Sequence, residues 1–200
     1  MTGLLHQENF FRDKAKTITP EEYLSFRRTA SGGRTMSLFV EWAVNMDAEI
    51  PACVIEHPSV LVFRELAVEI VALCNDLFSS IKDIPFGEGS NLVVILLRQG
   101  FTLQEAVDKI GDMVCDRYEK WEEALRCLPK WGKGMDVRVR KLIQGYADMV
   151  WGNLYWSYHT GAYLGKDGEK TRTTGLVSFL AKDIQKIQEA ATLARQYKYK

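Results

Sequence analysis

The strongest constraint on this chain is a run of apolar residues at helical spacing between Ser59 and Lys82. Leu61, Leu66, Ile70, Leu73, Leu77 and Ile81 recur at intervals of three to five residues, with Val68, Val71 and Ala72 widening the stripe. That period predicts one long helix, largely buried, which needs other helices packed round it. The rest of the chain agrees. TPEEYLSFRR places Thr19, Pro20 and Glu22 as a hydroxyl cap, a first-turn proline and an acid three residues after the cap, and Gly32 and Gly33 end that helix. A second helical segment covers about Thr35 to Met46, and Asn91 to Gln99 reads as a short, very apolar helix after the loop DIPFGEGS. TLQE at Thr102 to Glu105 opens a long helix closed by Pro129 and Gly132, and another runs from about Asp136 to His159. After Gly165 the polar segment KDGEKTRTTG reads as a mobile loop, followed by a helix from about Leu176 to Gln196. No alternating strand pattern exceeds a few residues, so the expected fold class is all-α, without repeats or a clear internal boundary.

Composition bounds the function. Two hundred residues suit one domain with a sizeable core. A formal net charge of zero gives no bulk attraction to nucleic acid or to an anionic membrane surface. Cys53, Cys74, Cys115 and Cys127 lack metal-ligand spacing and are expected to be buried, reduced thiols of a cytoplasmic protein. The start MTGLLHQENFFRDK meets acids and amides before an apolar run develops, unlike a signal peptide. LVVILL, Leu92 to Leu97, is the longest aliphatic run and is too short to span a bilayer.

The stretch NDLFSSIKD places Asn75, Ser79 and Asp83 four and four residues apart within the long helix. Four residues turn a helix by about 400°, so the three oxygens face roughly the same way. Mg²⁺ favours about six oxygen ligands and keeps several waters, and an amide, a hydroxyl and a carboxylate on one face can supply three of them. Lys82 beside the row could hold a phosphate oxygen bridged by the same metal. The plainer reading makes Asn75 and Ser79 satisfied core groups and Asp83 a solvated helix end.

CNDLFSSIKD resembles the second metal-binding motif of class I terpene synthases, and more narrowly that of fungal sesquiterpene cyclases. Asn75, Ser79 and Asp83 match its ligand positions and Lys82 matches a lysine that often precedes the last ligand; Asp83 stands where glutamate is usual. YLSFRRTASG resembles the family segment in which an arginine senses diphosphate beside a helix break. That implies Arg28 as sensor, Ser31 as linker and Gly32 at the break, a catalytic set. NLYWSYHTGAYLG is similar to the family's closing segment: Trp156, Ser157 and Tyr163 match, while Ala162 replaces the diphosphate-binding arginine.

The resemblance covers about Thr19 to Gly165 and implies a partial class I terpenoid synthase bundle. Residues 1–18 form a lead-in, 19–165 the metal-binding helical domain and 166–200 a polar loop with a C-terminal helix. No aspartate-rich first motif precedes Thr19, where Glu8 and Asp13 are isolated acids, so the chain looks like the C-terminal part of a longer enzyme. The implied activity is that of a carbon–oxygen lyase: Mg²⁺ (or Mn²⁺), Arg28, Lys82 and Tyr163 hold the diphosphate of a prenyl substrate such as farnesyl diphosphate. The resulting cation is folded against Leu24, Phe39, Trp42, Trp151 and Trp156. The alternative is a non-catalytic helical remnant that acts through protein–protein association, including self-association. A prenyl transferase would need paired aspartate-rich motifs, and none is present.

Overall fold

The computed structural model describes residues 17–30, 32–86, 90–179 and Gln185. Helices α1 (Pro20–Ala30), α2 (Gly33–Ala48), α3 (Ala52–Ile55) and α4 (Pro58–Phe86) are followed by α5 (Leu92–Gln99), α6 (Leu103–Arg126) and α7 (Lys133–His159). A 3-10 turn, Gly165–Asp167, leads into α8 (Gly168–Thr174), and no strand occurs among the described residues.

The helix starts follow their sequence signals. Thr19 donates its backbone N–H and its hydroxyl to Glu22 Oε2 at 2.8 and 3.0 Å, while the Glu22 N–H returns a 3.2 Å bond to Thr19 Oγ1. Thr102 and Glu105 repeat this arrangement at the start of α6. These bonds hold the Glu105 carboxyl below its usual range, the backbone bond from Thr102 contributing most. Such reciprocal bonds satisfy donors that a helix start leaves without intrahelical partners.

The chain clusters into two compact units, each assembled from separated segments: residues 1–23, 73–112 and 157–200 form one, and residues 24–72 and 113–156 the other. In the first unit α5 is apolar on every side, and Leu92 to Leu97 are all buried. A helix apolar all round belongs in an interior. Gly100, at φ 98°, terminates it in the left-handed conformation that glycine adopts without a Cβ clash.

In the second unit Phe63 meets Trp121 edge to face at 4.9 Å, among Val60, Leu66, Leu142 and Tyr146. Burial drives the Tyr146 phenol well above its ordinary range, and its 2.7 Å bond to Glu41 adds to the effect. Gly145 allows a close approach: a Cβ there would lie 2.8 Å from Val40 Cγ1 and 3.2 Å from Val44 Cγ2. The opposite side of α2 exposes Leu38, Phe39, Trp42 and Met46, and α7 exposes Trp151, Tyr155 and Trp156.

Four expectations are corrected. The helix expected to end at Lys82 continues through Asp83 to Phe86, so the first half of DIPFGEGS is helical and not loop. Cys53, Cys115 and Cys127 are exposed and only Cys74 is partly buried, because the three sit on the solvent side or at the ends of short and amphipathic helices. The polar segment after Gly165 is not a loop throughout: it forms the 3-10 turn and α8, tied by paired Arg172–Glu169 bonds at 3.0 and 2.6 Å. Gly175, at φ 69°, stops α8, and residues 176–179 are non-helical. The remainder of the helix expected to Gln196 lies outside the described residues apart from Gln185.

Candidate metal-binding and diphosphate-binding residues

In the first unit the row on α4 is tightly bonded. The Ser79 hydroxyl donates to Asp83 Oδ2 at 2.5 Å. Asn91 Nδ2 donates to the same oxygen at 2.9 Å, to Ser79 Oγ at 3.0 Å and to the Asp76 carbonyl at 2.8 Å. The Asn91 Oδ1 accepts from the Val93 and Val94 N–H groups and so caps α5. Ser79 and Asp83 are 5% and 8% exposed, so Asp83 is no solvated helix end. One turn earlier, Asn75 Nδ2 donates to the Tyr163 hydroxyl at 2.9 Å. Exposed Lys82 places its ammonium 5.3 Å from the centre of the Tyr163 ring.

The neighbouring acid, Asp76, has a different task. Its Oδ2 accepts the Tyr23 hydroxyl at 2.5 Å and the Leu92 N–H at 3.1 Å. Burial, assisted by the Asp76 charge, pushes the Cys74 thiol up to about 11.

The donor set suits a hard cation. A serine oxygen has two lone pairs, and Asn91 uses one of them at Ser79. At Asp83 both bonds fall on Oδ2, leaving Oδ1 without a bond among the described residues. Amide, hydroxyl and carboxylate oxygens are Mg²⁺ ligands by type. Among the described residues no three His, Cys, Asp or Glu side chains gather as a metal site, so any site here depends on the Asn and Ser oxygens.

In the second unit Arg28 donates its Nε–H to Glu69 Oε1 at 2.6 Å, and its Nη2 contacts the same oxygen. Arg117 Nε donates to Glu69 Oε2 at 2.8 Å. Gly32 precedes α2 in a helical conformation with open space beside it, whereas Ser31 lies outside the described residues. Of the expected cavity wall, Leu24 is fully buried and Phe39, Trp42, Trp151 and Trp156 are exposed. Ala162 is exposed, its N–H donating to Thr160 Oγ1 at 3.3 Å.

Sequence reasoning did not single out Asn91, Asp76, Glu69 or Arg117. Asn91 carried a signal: an asparagine directly before an apolar helical run is a cap. Glu69 carried another, as a charge in the middle of a stripe of buried aliphatics.

Residues 3–120 match the family model described as terpene synthase family 2, C-terminal metal binding. The chain belongs to this family. It is 39% identical over 175 residues to terpene cyclase 4 of Gibberella fujikuroi, a match covering 88% of this chain and 47% of that protein. It is 34% identical over 171 residues to sesquiterpene synthase Agr1 of Cyclocybe aegerita, covering 84% of this chain and 49% of that protein. The chain thus spans about half the length of the curated family members it matches. The solved structure of a cucumene synthase point variant shares the fold of this terpene synthase family chain at a TM-score of 0.52 and 19% identity, over 77% of this chain and 62% of that one. No described helix is long and apolar enough to cross a membrane.

Proposed function

We propose that this chain carries the second metal-binding motif of a sesquiterpene cyclase whose substrate is a prenyl diphosphate, farnesyl diphosphate being the foremost candidate. The observation that carries the reading is the Ser79–Asp83 pair, fixed by Asn91 with Asp83 Oδ1 left to a ligand. Asn75, Ser79 and Asp83 would hold Mg²⁺, with Mn²⁺ as a substitute. When bound, the ion supplies positive charge that stabilises a departing diphosphate.

The chain's own residues have separate parts. Asn91 orients the serine and aspartate oxygens. Arg28 binds diphosphate through its planar fork. Lys82 and Tyr163 add a point charge and a hydroxyl donor. The exposed rings of Phe39, Trp42, Trp151 and Trp156 offer faces that attract a carbocation. Gly32 takes the part of the helix break after Arg28, and Ser31 the linking part that the family resemblance implies.

The test is a Mg²⁺ titration by calorimetry. Wild type and Asp83→Glu are expected to bind, and Asp83→Ala to lose binding. Equal Mg²⁺ affinity in wild type and Asp83→Ala overturns the assignment.

A second reading, a non-catalytic remnant that works by association, is favoured by the apolar side chains exposed on α2 and α7. Incubation with farnesyl diphosphate and Mg²⁺, followed by analysis of volatile hydrocarbons, separates the two.

A further inference from the structure

Glu69 is a buried carboxylate between two guanidinium groups. Its side chain is 4% exposed and that of Arg117 7%, whereas Arg28 remains 44% exposed. Arg117 also donates to Asp116 Oδ2 at 3.0 Å, and Lys120 closes on the same oxygen at 2.7 Å. Counted over Arg28, Glu69, Arg117, Asp116 and Lys120, three positive and two negative groups leave a net +1. A lone glutamate behind Arg28 would cancel its charge towards an anion. Arg117 offsets part of that cancellation from the buried side, so Glu69 withholds less of the exposed guanidinium's charge from an anion.

Donor geometry points the same way. A guanidinium has five N–H donors. Arg28 commits its Nε–H and one Nη2 donor, both to Glu69 Oε1. One Nη1 hydrogen turns back towards Cδ, and the other, with the second Nη2 hydrogen, forms the terminal edge, which Glu69 does not occupy. That edge is the fork that pairs with two phosphate oxygens.

We propose that Glu69 and Arg117 are positioning residues that hold Arg28 ready for a diphosphate, Glu69 by gripping the inner edge of the guanidinium and Arg117 by neutralising Glu69. The proposal rests on the reading of Arg28 as a diphosphate ligand. Glu69 is not a competitor that the anion must displace; its bond to Arg28 persists in the bound state.

The experiment measures pyrophosphate binding with Mg²⁺ by calorimetry. Removing Glu69 alone takes from Arg117 its buried carboxylate partner and unbalances the charge of the cluster. The informative variant is therefore Glu69→Gln with Arg117→Met, which leaves the charge of the cluster unchanged. Its affinity is expected to fall about tenfold, the scale of one charge-assisted bond. The same pair of changes made in an Arg28→Ala background is expected to have no further effect. Lost helicity alone, with affinity unchanged, overturns the proposal and leaves the cluster a structural ion pair. Should the double variant not fold, the Arg28 Nε–H resonance of wild type decides. Protection from exchange at pyrophosphate saturation supports positioning, and loss of protection overturns it. Absence of binding by wild type, or binding insensitive to Arg28→Ala, defeats the underlying reading of Arg28 and the proposal with it.

Discussion

The hydroxyl of Tyr23 donates a 2.5 Å hydrogen bond to Asp76 Oδ2 across 53 residues of sequence. Asp76 stands next to Asn75 in NDLFSSIKD, yet its carboxylate is turned to Tyr23 and to the first N–H of α5. The same tyrosine hydroxyl lies 2.7 Å from the Ser90 carbonyl. Asp76 thus anchors the segments around α4 and is not part of the oxygen row. Tyr23→Phe keeps the ring and removes the donor from a carboxylate that is 1% exposed. A loss of about 1–3 kcal/mol in urea unfolding is expected. Unchanged stability would mean that the carboxylate finds another donor.

Asn91 serves two structures at once. Asn91→Ala removes the cap of α5 and the donor to Ser79 and Asp83. The cap and the exposed acceptors together are expected to cost about 2–4 kcal/mol. Mg²⁺ affinity should fall as well, because the Ser79–Asp83 geometry loses its support. Chemical denaturation and calorimetry on one preparation check both effects.

Thiol chemistry should distinguish Cys74 from the others. Its pKa of about 11 keeps it a neutral thiol where an ordinary cysteine ionises nearer 9.0. Two units lower the thiolate fraction about a hundredfold below pH 9. A disulfide reagent at pH 8 should modify Cys53, Cys115 and Cys127 quickly and Cys74 slowly. The slow phase should accelerate with pH up to about 11, the range in which the raised pKa still withholds the thiolate. Equal rates for all four thiols would contradict this.

The apolar side of α2 should drive association. Leu38, Phe39, Trp42 and Met46 are all exposed on one helix. Contiguous apolar surface of this kind is seldom left in water. Sedimentation should show mass rising with concentration, and Phe39→Glu with Trp42→Glu should suppress it while leaving helicity intact. Concentration-independent monomers of wild type would show that the patch is tolerated.

These 200 residues alone are expected to turn over farnesyl diphosphate poorly. Each ~1.4 kcal/mol of transition-state stabilisation withheld lowers the rate about tenfold. Exposed aromatic rings also leave a cation open to water. Robust formation of a cyclic hydrocarbon by a monomer would refute this expectation.

What could be read from the sequence was local. The Thr19–Glu22 and Thr102–Glu105 boxes, the long α4 and the four-residue spacing of Ser79 and Asp83 each depend on a short window, and each is present with its bonds. What could not be read needs tertiary partners. The bond between Asn75 and Tyr163 joins residues 88 apart, and Glu69 meets Arg117 across 48. The two compact units are assembled from separated segments, and no change of composition marks where α4 passes from one to the other. The exposed cysteines were misplaced for a related reason. Residue type predicts burial only on average, whereas a helix face decides it.

Gly145 controls more than its own position. By lacking a side chain it admits Val40 and Val44, which lie on the side of α2 away from Phe39 and Trp42. One methyl group added there would press on Val40 Cγ1 and Val44 Cγ2, and because helical valines are stiff at χ1 the favoured relief is a roll or lift of α2. Both aromatic rings would then swing with the helix axis, and Gly145→Ala should register as a shift in tryptophan emission. The relief of the exposed aromatic surface is therefore moulded from behind, by an atom the chain leaves out.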